Sequence, residues 1–360
     1  MRVAARADAP AAPPPSARPT GRSGLRLRHE VSLGEHVSAL SWSASGELAV
    51  AATLDGGVQA ISIAPAGPAR RIAEHAGGAL AIDVSATGRV ASGGQDGRLR
   101  LIPLDGGAAV ADLDAHGRWV EHVRWSPAGR RLASAAGRVV RFWTPDGKVT
   151  GEFDRHPGAV TAIWWDASGG TLTTACADGL RLLGPNRRRA IVHIPWDAAG
   201  TVLAAVESPD ERYIAMGHLG GTVSVLQVST ARSVQFGGFP GKIRRLVWSR
   251  DSRRLAVASG DKVAVFGFSP RGPDRERARV LRGHDDRVTA LAFMAIAGGH
   301  LLATGCDAGQ LLLWAQARDM RRAGAVDVGL PIEQLFASPD GRWLAVACRG
   351  GELRIFSTAG

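Results

Sequence analysis

Five histidines, His36, His75, His116, His156 and His284, recur at about 40 residues or multiples of it, and Asp55, Asp96 and Asp178 follow three of them by about 20. An imidazole held by a carboxylate is the equipment of a general base. The same pair repeated down a chain does something plainer: it fastens a loop, for about 1 to 2 kcal/mol each. Repetition favours fastening. Cys176, Cys306 and Cys348 cannot all pair with one another, none has CxxC spacing, and all three fall at one repeat position near the end of an apolar run. A small buried residue accounts for them better than a metal or redox site. His218 occupies that same position in another copy, where it must either reach a local acceptor or point into the central funnel as a functional group.

Motifs for catalysis are missing from the sequence. SxDxGxTW, GxSxG, HExxH, a P-loop and a GxGxxG opening a helix do not occur, and no helical periodicity is long enough to host the last two. With Tyr213 as the single tyrosine, a kelch pattern is not met. We therefore expect no catalytic residues, no metal and no cofactor.

The element that positions these residues is a repeat. In His116 to Trp143, three strand-length apolar runs are divided by Ser126-Pro127-Ala128-Gly129 and by Gly137-Arg138, both turn sequences. Eight copies occur, their first strands ending at Trp42, Val84, Trp125, Trp165, Glu207, Trp248, Phe293 and Ala337. Each of the last seven is preceded by a further short run, such as Val149 to Phe153 or Arg279 to Leu281, that serves as the outer strand of the copy before it. The eighth outer strand is supplied by Leu25 to Val31, whose alternation suits a strand that pairs with the C-terminal copy and leaves no open sheet edge.

The chain resembles the WD-repeat β-propeller family over nearly everything after residue 22, though in degenerate form. His36, His75, His116, His156 and His284 match the family's histidine before the first strand, Asp55, Asp96 and Asp178 its turn aspartate, and Trp143 and Trp314 its third-strand tryptophan. No copy carries the whole set. The resemblance implies an all-β, closed propeller of four-stranded antiparallel blades; eight blades fit the count, and seven remain the alternative. Of the matching residues, His75, Asp96, His116, Trp143, His156, Asp178, His284 and Trp314 are expected to be structural. Trp42, Trp125, Trp165 and Trp248 share one repeat position and are expected to form a packing belt.

Residues 1–22, rich in Arg, Ala and Pro, read as a disordered tail, and 23–360 as a single propeller. No apolar run is long enough to span a membrane, and the N-terminus lacks the apolar stretch of a secretory signal. Unpaired cysteines make a reducing cytoplasm the simplest location, and a monomeric propeller is expected. The net charge of +11 rests on arginine, with Lys148, Lys242 and Lys262 the only lysines, a bias that GC-rich coding would produce without any polyanion partner.

In a propeller, the loops entering first strands and those joining second to third strands share one face. That face tallies as mildly acidic and presents Arg118, Trp119, Trp196, Asp197, Phe239, Asp285, Asp286, Arg287, Pro331 and Glu333, a set suited to a protein or peptide partner. The opposite face collects Arg70, Arg71, Arg187, Arg188, Arg189, Arg253, Arg254, Arg275, Arg277, Arg321 and Arg322. Nucleic acid is the alternative partner there, less favoured because aromatic interleaving is missing. The expected function is a non-catalytic interaction scaffold, with a cryptic enzyme using His218 as a remote alternative.

Overall fold

Short apolar runs interrupted every few residues by Gly, Ser or Asp cannot continue as helices, and in the computed structural model they pair locally into antiparallel sheets. The structure describes residues 18–19, 24–185, 189–195, 200–274, 278–296, 299–315 and 320–358. Eight antiparallel blades, seven built on four consecutive strands and the last on three plus an N-terminal strand, form a ring, with no helix among the described residues. In chain order the blades cover 37–74, 79–114, 122–153, 162–195, 202–236, 245–281, 288–327 and 332–358. Leu25–Ser32 completes the eighth blade by pairing with Glu352–Thr358, Leu25 opposite Thr358 and Ser32 opposite Glu352. The seven-blade alternative is thereby excluded.

Two outer strands begin later than the apolar runs Ala109 to Leu113 and Ala190 to Ile194 suggest. In blade 2 the strand is Ala111–Asp114 and in blade 4 it is Val192–Pro195. Each is preceded by a loop residue, Val110 or Ile191, whose amide already bonds back to the third strand at Leu101 or Leu182. Blade 7 carries an extra strand: Arg18–Pro19, within the expected tail, lies antiparallel to Asp327 and Val326. The rest of residues 1–22 lies outside the described residues.

A buried serine shapes the turn after most first strands. Ser43, Ser85, Ser126, Ser208, Ser249 and Ser338 each accept, at 2.9 to 3.1 Å, the amide four or five residues on, where the second strand begins. This is a side chain standing in for a missing backbone partner. The turn needs one left-handed residue, met by Gly46, Gly88, Gly129, Gly169 and Gly341 in five blades. Blades 5 and 6 force Glu211 and Ser252 into the same conformation, with φ of 59° and 58°.

Blades pack face to face through their first three strands, and second strands such as Leu132–Ala136 and Leu172–Cys176 are buried along their whole length. Close approach explains why small residues recur there. A Cβ on Gly217 would fall 2.6 Å from the Ile243 carbonyl of the next blade.

Candidate functional site

Four of the recurrent histidines sit beneath the loops that enter first strands, and each of these finds a hydroxyl in its own blade, whereas His36 faces Glu333 of the last blade. His75 Nε2 lies 2.9 Å from Ser92 Oγ, His116 Nε2 2.7 Å from Ser134 Oγ, His156 Nε2 2.9 Å from Thr174 Oγ1 and His284 Nε2 2.7 Å from Thr304 Oγ1. Trp143 and Trp314 donate to Ser134 and Thr304, the same hydroxyls. Burial pushes His116, His156 and His284 down to about 4, so they are neutral near pH 7. Among the described residues only blade 2 adds an aspartate: Asp96 Oδ1 lies 2.9 Å from His75 Nδ1, with Arg100 2.9 Å from its other oxygen. Burial would raise this carboxyl, but His75, Arg100 and the Arg98 amide outweigh it and hold it at about 2. Asp178 takes a different partner from the one its place in the repeat suggests. It forms a two-pronged pair with Arg181, at 2.7 and 2.5 Å, because that guanidinium lies closer than His156, whose Nδ1 faces the Arg138 carbonyl.

His218 is buried, with Nε2 2.9 Å from Ser224 Oγ and Nδ1 3.3 Å from the Gly200 carbonyl. It reaches a local acceptor rather than pointing into the channel. Cys176, Cys306 and Cys348 are buried free thiols, each raised first by burial, and no metal-binding cluster occurs among the described residues.

First strands line the central channel and bolt blade to blade in two opposite senses. Near their ends, Trp42, Trp165 and Trp248 donate Nε1 to the carbonyls of Phe336, Arg124 and Val206 in the preceding blade, at 2.9 to 3.3 Å. Near their starts, His122, Arg245 and Gln334 bond forward to the carbonyls of Val160, Thr289 and Val37 in the next blade, at 2.7 to 3.1 Å. Three of the four tryptophans of the expected packing belt are therefore also bolts, while the fourth, Trp125, buries its indole nitrogen without a hydrogen-bond partner among the described residues. Repeat position signalled the tryptophans; the forward donors vary in type and gave no such signal.

On the loop face the proposed residues separate into two places. Arg118 and Trp119 border a recess of about 690 Å³ with Gln95, Asp114 and Glu121, and the Trp119 indole is 56% exposed. Arg287 and Glu333 line another cavity, of about 400 Å³, on blades 6, 7, 8 and 1. Arg287 holds Asp307 through two nitrogens at 3.1 and 2.8 Å, and Glu333 lies 2.6 Å from His36 and 3.5 Å from Arg349. The remaining residues are committed locally. Phe239 is half-buried against Phe266, Asp285 bonds Gln310, and the Pro331 carbonyl accepts the Arg349 amide. Asp286 accepts the Arg287 amide at 2.6 Å. Trp196 and Asp197 lie outside the described residues.

Lys242, Arg244, Arg245 and Arg349 also line the 400 Å³ cavity, and the sequence reading missed them. A tally over the whole face averages to mildly acidic, yet this quadrant is cationic. The available signal was positional: Arg244 precedes and Arg245 opens an apolar first strand, which places them at the channel rim.

The opposite face is less uniformly basic than expected. Arg71 is engaged with Asp55 at 2.8 Å and Glu74 at 3.2 Å, because its side chain runs along the outer strand toward the loop face. Arg70 donates to the Asp105 carbonyl. Arg189, Arg253, Arg321 and Arg322 are exposed and Arg254 is partly buried, while Arg187, Arg188, Arg275 and Arg277 lie outside the described residues. Toward the far end of the channel, Trp164, Arg124, Glu207 and Glu211 line a cavity of about 610 Å³. Burial first, then the neighbouring Glu211 and Asp166, pushes Glu207 up to about 7.

Three segments, 107–144, 147–180 and 275–315, match the family described as WD domain, G-beta repeat. The U3 small nucleolar RNA-associated protein 15 homolog of Xenopus tropicalis is 28% identical over 137 residues, 38% of this chain and 26% of that protein. Its Xenopus laevis counterpart is 27% identical over the same shares. Coronin-7 of Rattus norvegicus is 29% identical over 150 residues, 38% of this chain and 16% of that protein. The matched region thus covers about a quarter or less of each relative.

Proposed function

From an eight-bladed ring that carries WD repeats, we propose a non-catalytic scaffold that captures a protein or peptide on the loop face. The observation that carries this is Trp119, an indole 56% exposed at a recess edge beside Arg118. Leaving that much aromatic surface in water costs free energy that a partner would recover, and Trp with Arg is the pairing found at the centre of binding surfaces. Nothing holds Trp119 in its own core, in contrast to Trp143 and Trp314. The test is a pull-down with Trp119→Ala: capture of partners seen with the unaltered chain should be lost while the melting temperature stays within a few degrees. Retained capture would overturn it.

A second reading, binding of RNA or another polyanion to the opposite face, draws on exposed Arg189, Arg253 and Arg322 and on relatives named for association with a small nucleolar RNA. Binding to mixed RNA that weakens steeply with salt, and that fails in an Arg253→Gln and Arg322→Gln variant, would support it. Three buried free thiols suit a reducing compartment. Given the relatives' nucleolar name, we do not narrow that compartment to the cytoplasm.

A further inference from the structure

We propose that the rim cavity on blades 6, 7, 8 and 1 binds a dianionic phosphoryl group. The inference deepens the reading of the loop face as the binding face and rests on it. Five cations, Lys242, Arg244, Arg245, Arg287 and Arg349, line the cavity with two carboxylates, Asp307 and Glu333, leaving three positive charges in excess. The carboxylates are already taken: Asp307 holds Arg287 and Arg349 at 2.8 and 3.2 Å, and Glu333 faces His36 and Arg349. Among the described residues no carboxylate pairs with Lys242, Arg244 or Arg245.

All three are exposed at the cavity rim, and one of them is held in place. Arg245 is fixed by its Nε bond to the Thr289 carbonyl at 2.7 Å, which leaves its two terminal nitrogens for a ligand. Arg244 beside it depresses the Arg245 guanidinium further, after burial, so two like charges are held together at a cost that an anion would relieve. A guanidinium with one edge fixed and the other open is suited to tetrahedral phosphate oxygens, and an ammonium adds a point charge. A single carboxylate would neutralise only part of the excess; a dianion offsets most of it. The cavity, about 400 Å³, has room for such a group and the first atoms of what carries it.

The test is calorimetric titration of the full chain at low salt with N-acetyl-O-phosphoserine amide, inorganic phosphate and N-acetylaspartate amide. The phosphate compounds should bind at least about 10-fold more tightly than the carboxylate. Tighter binding of the phosphoserine compound would identify a phosphorylated side chain as the source, and equal binding a free phosphate. Lys242→Gln with Arg244→Gln, both exposed, should weaken binding about 10-fold or more without lowering the melting temperature. Arg245→Lys, which keeps the charge and loses the fork, should weaken it less. Three results would overturn the proposal: no heat up to about 10 mM ligand, equal affinity for the carboxylate, or full affinity in the double variant. If phosphate fails while Trp119→Ala still abolishes capture, only this proposal falls and the scaffold reading stands.

Discussion

The Trp42 indole donates Nε1 to the Phe336 carbonyl across 3.3 Å, joining the first blade to the last over 294 residues of chain. It is the closing member of the backward bolts, and beside it Gln334 reaches forward to Val37 and Ser38. Ring closure therefore has two devices: a shared eighth blade and a pair of side-chain bonds at its seam.

Trp42→Phe keeps most of the buried aromatic surface and removes the donor, so it should cost about 1 kcal/mol. Trp42→Ala leaves a cavity as well and should cost about 3 to 5 kcal/mol. Urea unfolding followed by fluorescence separates the two. A Trp42→Phe variant as stable as the unaltered chain would mean that the Phe336 bond contributes nothing beyond packing.

The loop fasteners predict acid sensitivity in two steps. Buried His116, His122, His156 and His284 lie at about 4 in the fold and near 6.5 when unfolded, so the unfolded chain binds protons first as pH falls. Stability should decline between about pH 6.5 and 4, by roughly 1 kcal/mol per pH unit for each histidine. Asp96, held at about 2, adds a second loss below its unfolded value, worth about 2 kcal/mol once fully protonated. His156→Asn should flatten the first step and Asp96→Asn the second, read from melting temperature against pH.

The blade count and the closing strand were legible because each repeat is a local unit: Leu25 to Val31 alternates as a strand must, and an unpaired strand beside an incomplete blade has one place to go. Side-chain partners were less legible. Asp178 stands at the repeat's aspartate position, but a guanidinium three residues on outcompetes a histidine a strand away. Arg71 belongs to the opposite face by its backbone and is carried off it by the length of its side chain. The cationic cavity was hidden for a different reason. Lys242, Arg287 and Arg349 come from three blades, and summing charge over a face erases where on the face each charge sits.

Glu207 should make the molecule more stable in mild acid than its histidines alone would allow. Its carboxyl is raised to about 7, so the folded state keeps a proton that the unfolded chain releases near 4.5. That contribution is full below about pH 4.5 and is lost as pH rises through 7, up to about 3 kcal/mol. Glu207→Gln should therefore stabilise the chain at pH 8 and change little at pH 4. A variant equally stabilised at both would show that its charge is not what the fold opposes.

The three cysteines should be silent in the native state. Cys348 has no exposed surface and burial pushes its thiol up to about 12, so almost none is thiolate at pH 8; Cys176 and Cys306 are buried and raised too. Since the thiolate is the reacting species, a disulfide reagent has to wait for a blade to open. Labelling at pH 8 should proceed at one slow rate for all three thiols and accelerate together in urea, tracking global unfolding. Trp42→Ala, which weakens the seam beside Cys348 in blade 8, should raise that thiol's rate above the other two. Uniform acceleration of all three would instead show that the ring opens as a single cooperative unit, without fraying at its closure.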